Sequence, residues 1–278
     1  MRTERGRYHT KTWEELTFAD NFLFCKIMED DTELCREVLK LPLQIRIGRL
    51  EPPQGERTMQ ETLDSKSVRF DVYTKDESHV FDIEIQTTDA RNLPERARYY
   101  QSIIDMDNLS RGENYARLRD SYIIFLCLGD ALRKGLPVYT FENTCREDSG
   151  IRLGDRAYKV FFNAASCDKM KDAEMRGFFR FLRGERACTD LSRRIEKRLE
   201  SAKKNMGWRK RYMTWQQTID EEKMFAFEEG VEYGARENAR SLLRMNLGTP
   251  EQIAQALSLP LDEILALRDG LSLGSVMR

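Results

Sequence analysis

From Thr17 to Leu41 the apolar residues Phe18, Phe22, Phe24, Ile27, Met28, Leu34, Val38 and Leu39 recur mostly at helical spacings, interrupted by the acidic stretch Glu29 to Asp31. The pattern predicts two short helices. Gln44 to Glu51 alternates around Ile45 and Ile47 and ends in Pro52-Pro53, which predicts a strand and a rigid loop, followed by a polar connector to about Lys66. Ser67 to Thr74 sets Val68, Phe70 and Val72 against Arg69, Asp71 and Tyr73, a half-buried strand. Val80 to Thr87 then places Phe81, Ile83 and Ile85 on one face and Asp82, Glu84 and Gln86 on the other. Lys75 to Ser78 is turn material, so the pair predicts a β-hairpin.

A helix follows from Asn92 to about Leu109, with Pro94 in its first turn. Ser121 to Leu128 is a continuous apolar run, consistent with a central strand buried on both faces, and Val138–Phe141 and Tyr158–Asn163 are further strand candidates. Helices interleaved with strands in this order predict an α/β fold, a mixed sheet flanked by helices with a helical C-terminal extension. At Thr249, Pro250 and Gln252 form a capping-box start, and Ile253, Leu257, Ile264 and Leu267 supply an apolar stripe over two short helices. The expected division is a core over 1–168, a charged helical region over 169–245 and a small helical appendage over 246–278.

Composition narrows the chemistry. The 278 residues carry 46 Lys plus Arg against 47 Asp plus Glu, so any phosphate-binding surface is local. From Lys169 to Arg211 there are 15 basic and 6 acidic residues, which reads either as a track for a DNA backbone or as a solvated helix face. Only two histidines occur, His9 and His79, which argues against a Ser-His-Asp triad or a three-histidine zinc site. Six scattered cysteines without a CxxC pair read as reduced thiols of a cytoplasmic protein. The longest apolar run is too short to cross a bilayer, and the N-terminus lacks a secretory apolar region, so no membrane partner is expected.

The hairpin holds the candidate chemistry. A turn centred between residues 77 and 78 sets Asp71 opposite Glu84, with Cβ atoms roughly 4.5–5.5 Å apart. Two carboxylates so placed repel unless a cation lies between them. A hard ion such as Mg²⁺ suits them, with the Ile85 carbonyl as a third oxygen and the Gln86 amide holding a water. Such a site performs metal-assisted phosphodiester hydrolysis without histidine. The plainer reading is the wet face of an ordinary hairpin.

Five segments are distinctive in combination: Thr17 to Lys26 (TFADNFLFCK), Val68 to Tyr73 (VRFDVY), Ile83 to Gln86 (IEIQ), Arg96 to Gln101 (RARYYQ) and Tyr139 to Cys145 (YTFENTC). Together they resemble the PD-(D/E)XK nuclease family transposases, the recombination-promoting nuclease group of prokaryotes. Leu153-Gly154-Asp155 with the strand to Asn163, and Glu229 to Gly234, look like later segments of that family. The resemblance implies a restriction-endonuclease-like fold, Mg²⁺-dependent DNA cleavage (Mn²⁺ as a substitute), and a role in recombination or mobile DNA. Asp71 matches the first strand acid, Glu84 the acid of the ExK or ExQ motif, and Gln86 the position held by lysine in the wider superfamily.

Several residues carry two readings. Asp20 is an extra acid near the metal or a helix cap. Arg96 and Tyr100 share one helix face beside Arg98; they contact a phosphate, or the arginine pairs with an internal carboxylate and the tyrosine packs beside it. Lys66 and Arg69 contact DNA or balance the acidic site. The expected function is a metal-dependent endodeoxyribonuclease, as a monomer or a homo-oligomer; the alternative is a catalytically weak or inactive DNA-binding or assembly protein on the same scaffold.

Overall fold

A computed structural model describes residues 11–59, 67–87 and 92–274; His9 and Lys66 lie outside the described residues. The N-terminal pattern forms two helices, α1 (Asn21–Asp30) and α2 (Thr32–Leu43), divided at Asp31, whose carboxylate accepts the Leu34 N–H at 3.0 Å. An acceptor at this position satisfies one of the unpaired amides of the first turn, so the acidic interruption starts the second helix.

The strand expected over Gln44 to Glu51 is not formed. Gln44 takes a left-handed conformation, and the chain then runs irregularly with Ile47 and Leu50 buried. It is held by the Gly48 N–H on the Asp76 carboxylate and the Glu51 N–H on the Lys75 carbonyl. The first strand, β1 (Gln54–Met59), starts only after Pro52-Pro53, which lack amide donors for a ladder. It occupies the stretch expected to be a polar connector. Gly55 lies against α1 there: a Cβ would sit 3.3 Å from both the Cβ and the carbonyl oxygen of Cys25.

The remaining strands are β2 (Val68–Lys75), β3 (His79–Gln86), β4 (Asp120–Cys127), β5 (Val138–Phe141) and β6 (Ala157–Asn163). They form one six-stranded sheet in the order β1-β2-β3-β4-β6-β5. The first three strands pair antiparallel, β3, β4 and β6 are parallel, and β5 runs antiparallel to β6. A parallel step needs a long crossover. Between β3 and β4 this is α3 (Leu93–Asn108), whose Leu93, Ala97, Ile103 and Ile104 share a buried core with Phe70, Ile123, Phe125 and Phe161.

Two amphipathic helices follow, α4 (Ala173–Leu182) and α5 (Asp190–Lys203). Phe179 of α4 stacks on Phe162 of β6 with ring centroids 5.4 Å apart, and the basic side chains of α5 meet the acids of α1 and α2. Both helices belong to a first compact unit ending at Arg209; residues 210–278 form a second. The second unit contains most of a long helix, α6 (Met206–Arg244), with α7 (Pro250–Leu257) and α8 (Leu261–Gly274). Ala239, Ile253, Ala254 and Ile264 make its small core, and Thr249 and Gln252 form the expected capping box. Among the described residues, no helix is long and apolar enough to cross a membrane.

Candidate active site

The hairpin turn fixes the site. Asp76 accepts the N–H groups of Ser78 and His79 at 2.8 and 2.7 Å and that of Gly48 at 2.7 Å. Burial raises the Asp76 pKa, but these amides outweigh it and hold the carboxyl below its ordinary range. The turn sets Val72 opposite Ile83 and Tyr73 opposite Asp82. One step further along the same register, Asp71 meets Glu84.

At that step the carboxylates themselves join the strands. The Asp71 N–H donates to Glu84 Oε1 at 3.0 Å, and the Ile85 N–H donates to Asp71 Oδ2 at 3.0 Å. The other two oxygens are held from the helices. Asn21 Nδ2, at the start of α1, donates to Asp71 Oδ1, and Arg96 Nη2, in the first turns of α3, donates to Glu84 Oε2 at 2.8 Å. Arg96 also reaches Gln86 Oε1 at 3.3 Å and the Tyr100 hydroxyl at 3.1 Å, and its guanidinium lies over the Tyr100 and Phe125 rings.

The alternating pattern predicts a solvated face for these acids, and the structure corrects it. Asp71, Asp82 and Glu84 are 8%, 0% and 3% exposed. β3 is an interior strand, and its acidic face lies level with apolar neighbours on β4: Asp82 with Ile123, Glu84 with Phe125 and Gln86 with Cys127. The plain reading as a wet hairpin face therefore fails. Burial, and then the charge of Asp71, pushes Glu84 up to about 8, while burial also raises Asp71 against the pull of the Ile85 amide and Asn21. Asp82 stands well above the ordinary carboxylate range because it is wholly buried and faces Glu84 and Asp71. Neither of its oxygens has a hydrogen-bond partner among the described residues.

The other expected residues divide. Arg96 and Tyr100 adopt the arrangement of an arginine on an internal carboxylate with a tyrosine beside it, and burial lifts the Tyr100 hydroxyl to about 12. Arg98, two residues on and so about 200° around the helix, is exposed and lines a separate recess with Leu132, Phe141 and Lys159. Arg69 is half exposed, 3.9 Å from Glu56, and its charge pulls Asp71 down. Asp20 is engaged away from Asp71, accepting from Lys11 Nζ at 2.7 Å and from the Thr17 N–H and hydroxyl at 2.7 and 2.8 Å. Its neighbour Asn21 is the α1 residue that enters the site. Sequence reasoning missed Asn21, Asp82 as a buried acid, and Glu56, which the β1–β2 register sets level with Asp71.

Two hard carboxylates crowded across a hairpin suit a dication in donor chemistry, and each oxygen keeps a lone pair beyond the bond it already accepts. Among the described residues, however, no three His, Cys, Asp or Glu side chains converge into a metal-holding group. Compared with known proteins, residues 36–147 match the model of the PD-(D/E)XK nuclease family transposase. No curated protein and no solved structure matches the chain. The matched span holds β1, the hairpin, α3, β4 and β5, and over residues 36–147 the chain is similar to the PD-(D/E)XK nuclease family transposases.

Proposed function

We propose that the protein is a Mg²⁺-dependent endodeoxyribonuclease, with Mn²⁺ as a substitute ion, acting on DNA in recombination or in mobile elements. The observation that carries this reading is the buried Asp71–Glu84 pair, set across the hairpin with Arg96 and Gln86 beside it. Asp71 and Glu84 would hold the ion, with the Ile85 carbonyl as a third oxygen. A divalent ion supplies polarisation of a phosphate oxygen and acidification of water near neutral pH.

The chain's own groups do the rest. Asn21 and the Ile85 amide fix the Asp71 carboxylate, so its orientation does not depend on the substrate. Gln86 orients a water through its amide but carries no charge. Arg96 supplies the positive charge that a lysine at position 86 would give. Its side chain is 34% exposed, and although Nη2 already serves Glu84 and the Tyr100 hydroxyl and Nη1 reaches Gln86, a phosphate would approach its exposed edge. DNA would thus be drawn to an arginine beside the buried acids.

The test is cleavage of supercoiled plasmid with Mg²⁺, Mn²⁺ or EDTA by the wild-type chain, Asp71→Ala and Glu84→Ala. Divalent-dependent nicking that falls by about 10²-fold or more in both variants is expected. Metal-dependent nicking retained by Asp71→Ala contradicts the assignment. A second reading, a DNA-binding or assembly protein on a nuclease scaffold, is favoured by one observation: all four oxygens of the pair already accept protein donors. It predicts salt-sensitive, metal-independent DNA binding without turnover.

A further inference from the structure

We infer that α6 is a self-association surface, on which a second copy of this chain packs its own α6 antiparallel. Four large apolar side chains of the second unit stand open on this helix: Met213, Met224, Phe227 and Val231 are 55%, 54%, 71% and 55% exposed. At about 100° per residue they fall within roughly 60° of one another over five turns, with the polar Gln217 and Asp220 on the same face between Met213 and Met224. Phe225 and Tyr233 are also exposed but point to other sides of the helix. A surface helix ordinarily turns such apolar side chains toward a core, and exposed apolar surface rimmed by polar residues marks an interface.

Charge along α6 selects the occupant and its direction. The basic residues Lys210 and Arg211 open the segment, whereas residues 220–237 hold 7 acidic and 2 basic residues. A parallel copy would set Glu228 beside the partner's Glu228. An antiparallel copy with Met213 opposite the partner's Met224 has its two-fold axis between Thr218 and Ile219. That axis also sets Lys210 opposite the partner's Phe227, next to the partner's Glu228, and Gln217 opposite the partner's Asp220. One register therefore covers these apolar side chains and brings the basic end onto the acidic segment at both ends of the pair. Such flanking charges set partner and direction between helices.

The test is the mass of the full chain by size exclusion with light scattering, from low to high micromolar concentration. A two-chain mass is expected for wild type and a one-chain mass for Phe227→Glu, with unchanged circular dichroism because Phe227 is exposed. Lys210→Glu should weaken the dimer, and adding Glu228→Lys should restore it. In a Cys188→Ser background, Met213→Cys mixed with Met224→Cys should cross-link, while neither does so alone. A single-chain mass for wild type at every concentration, a dimer indifferent to Phe227→Glu, or self-cross-linking of Met213→Cys overturns the inference.

Discussion

Arginine meets carboxylate in two regions of the first unit, with opposite consequences. On α5, Arg194 pairs with Glu37, and Arg198 with Asp30 and Asp31 at 3.1 Å, all at the surface. In the hairpin, Arg96 pairs with a Glu84 that is almost wholly buried. The surface pairs fasten α5 to α1 and α2 and leave their basic charge largely neutralised in place. The hairpin pair is a single cation set against two further buried acids, Asp71 and Asp82. Two of the basic residues after Lys169, Arg194 and Arg198, thus serve helix packing, whereas Arg96 lies against the buried acids. What separates the regions is desolvation: exposed pairs contribute about 0–1 kcal/mol, while removing one partner of a buried pair leaves a charge unpaired at much greater cost.

The largest expected effect tests that contrast. Arg96→Met should lower the unfolding free energy in urea at about pH 9, where Glu84 is ionised, by roughly 2–3 kcal/mol, less than for a fully buried pair because the arginine is partly exposed. Glu84→Gln in the same chain should recover most of it. A loss below about 1 kcal/mol would place Arg96 with the surface pairs.

The next effect is on pH. Glu84 is held near pH 8 in the folded chain, above its unfolded value. The folded state therefore binds more protons between about pH 4.5 and 8, and stability falls as pH rises through that window. The melting temperature of the metal-free protein should decline across it, and the decline should flatten in Glu84→Gln. Added Mg²⁺ should raise melting more at the alkaline end than at the acidic end. A profile rising from pH 5 to 8 would contradict the crowded-acid description.

Asn21→Ala should cost about 1–2 kcal/mol, since it strips a donor from a buried carboxylate. The smallest effect belongs to α5: Arg194→Ala and Arg198→Ala should each change urea unfolding by less than about 1 kcal/mol. A larger loss at either position would show that the surface pairs are coupled to the core.

The parts of this site that were legible in the sequence share a local cause. Turn length and period-two alternation fix the hairpin register, so Asp71 and Glu84 face each other as spacing predicts. Pro94 and the apolar spacing locate α3 and hence Arg96, but two readings stay open until the chain brings Glu84 to it. β1 was hidden because Gln54 to Met59 has no apolar alternation; as an edge strand it is specified by pairing with β2, not by burial. Asn21 was hidden for a different reason: its partner is 50 residues away, and the adjacent Asp20 is the more conspicuous acid. The burial of Asp82 depends on β4, which arrives only after α3 has crossed over the sheet.

The most direct measurement is Mn²⁺ binding to the full chain by titration calorimetry in buffers of different ionisation enthalpy, for wild type and for Asp71→Ala. The account predicts one saturable site in wild type, with proton release near neutral pH because the raised carboxyls must ionise to take the ion, and no such site in Asp71→Ala. Saturable binding unchanged in Asp71→Ala, or no binding by wild type, would contradict the claim that the hairpin acids are a metal-holding pair.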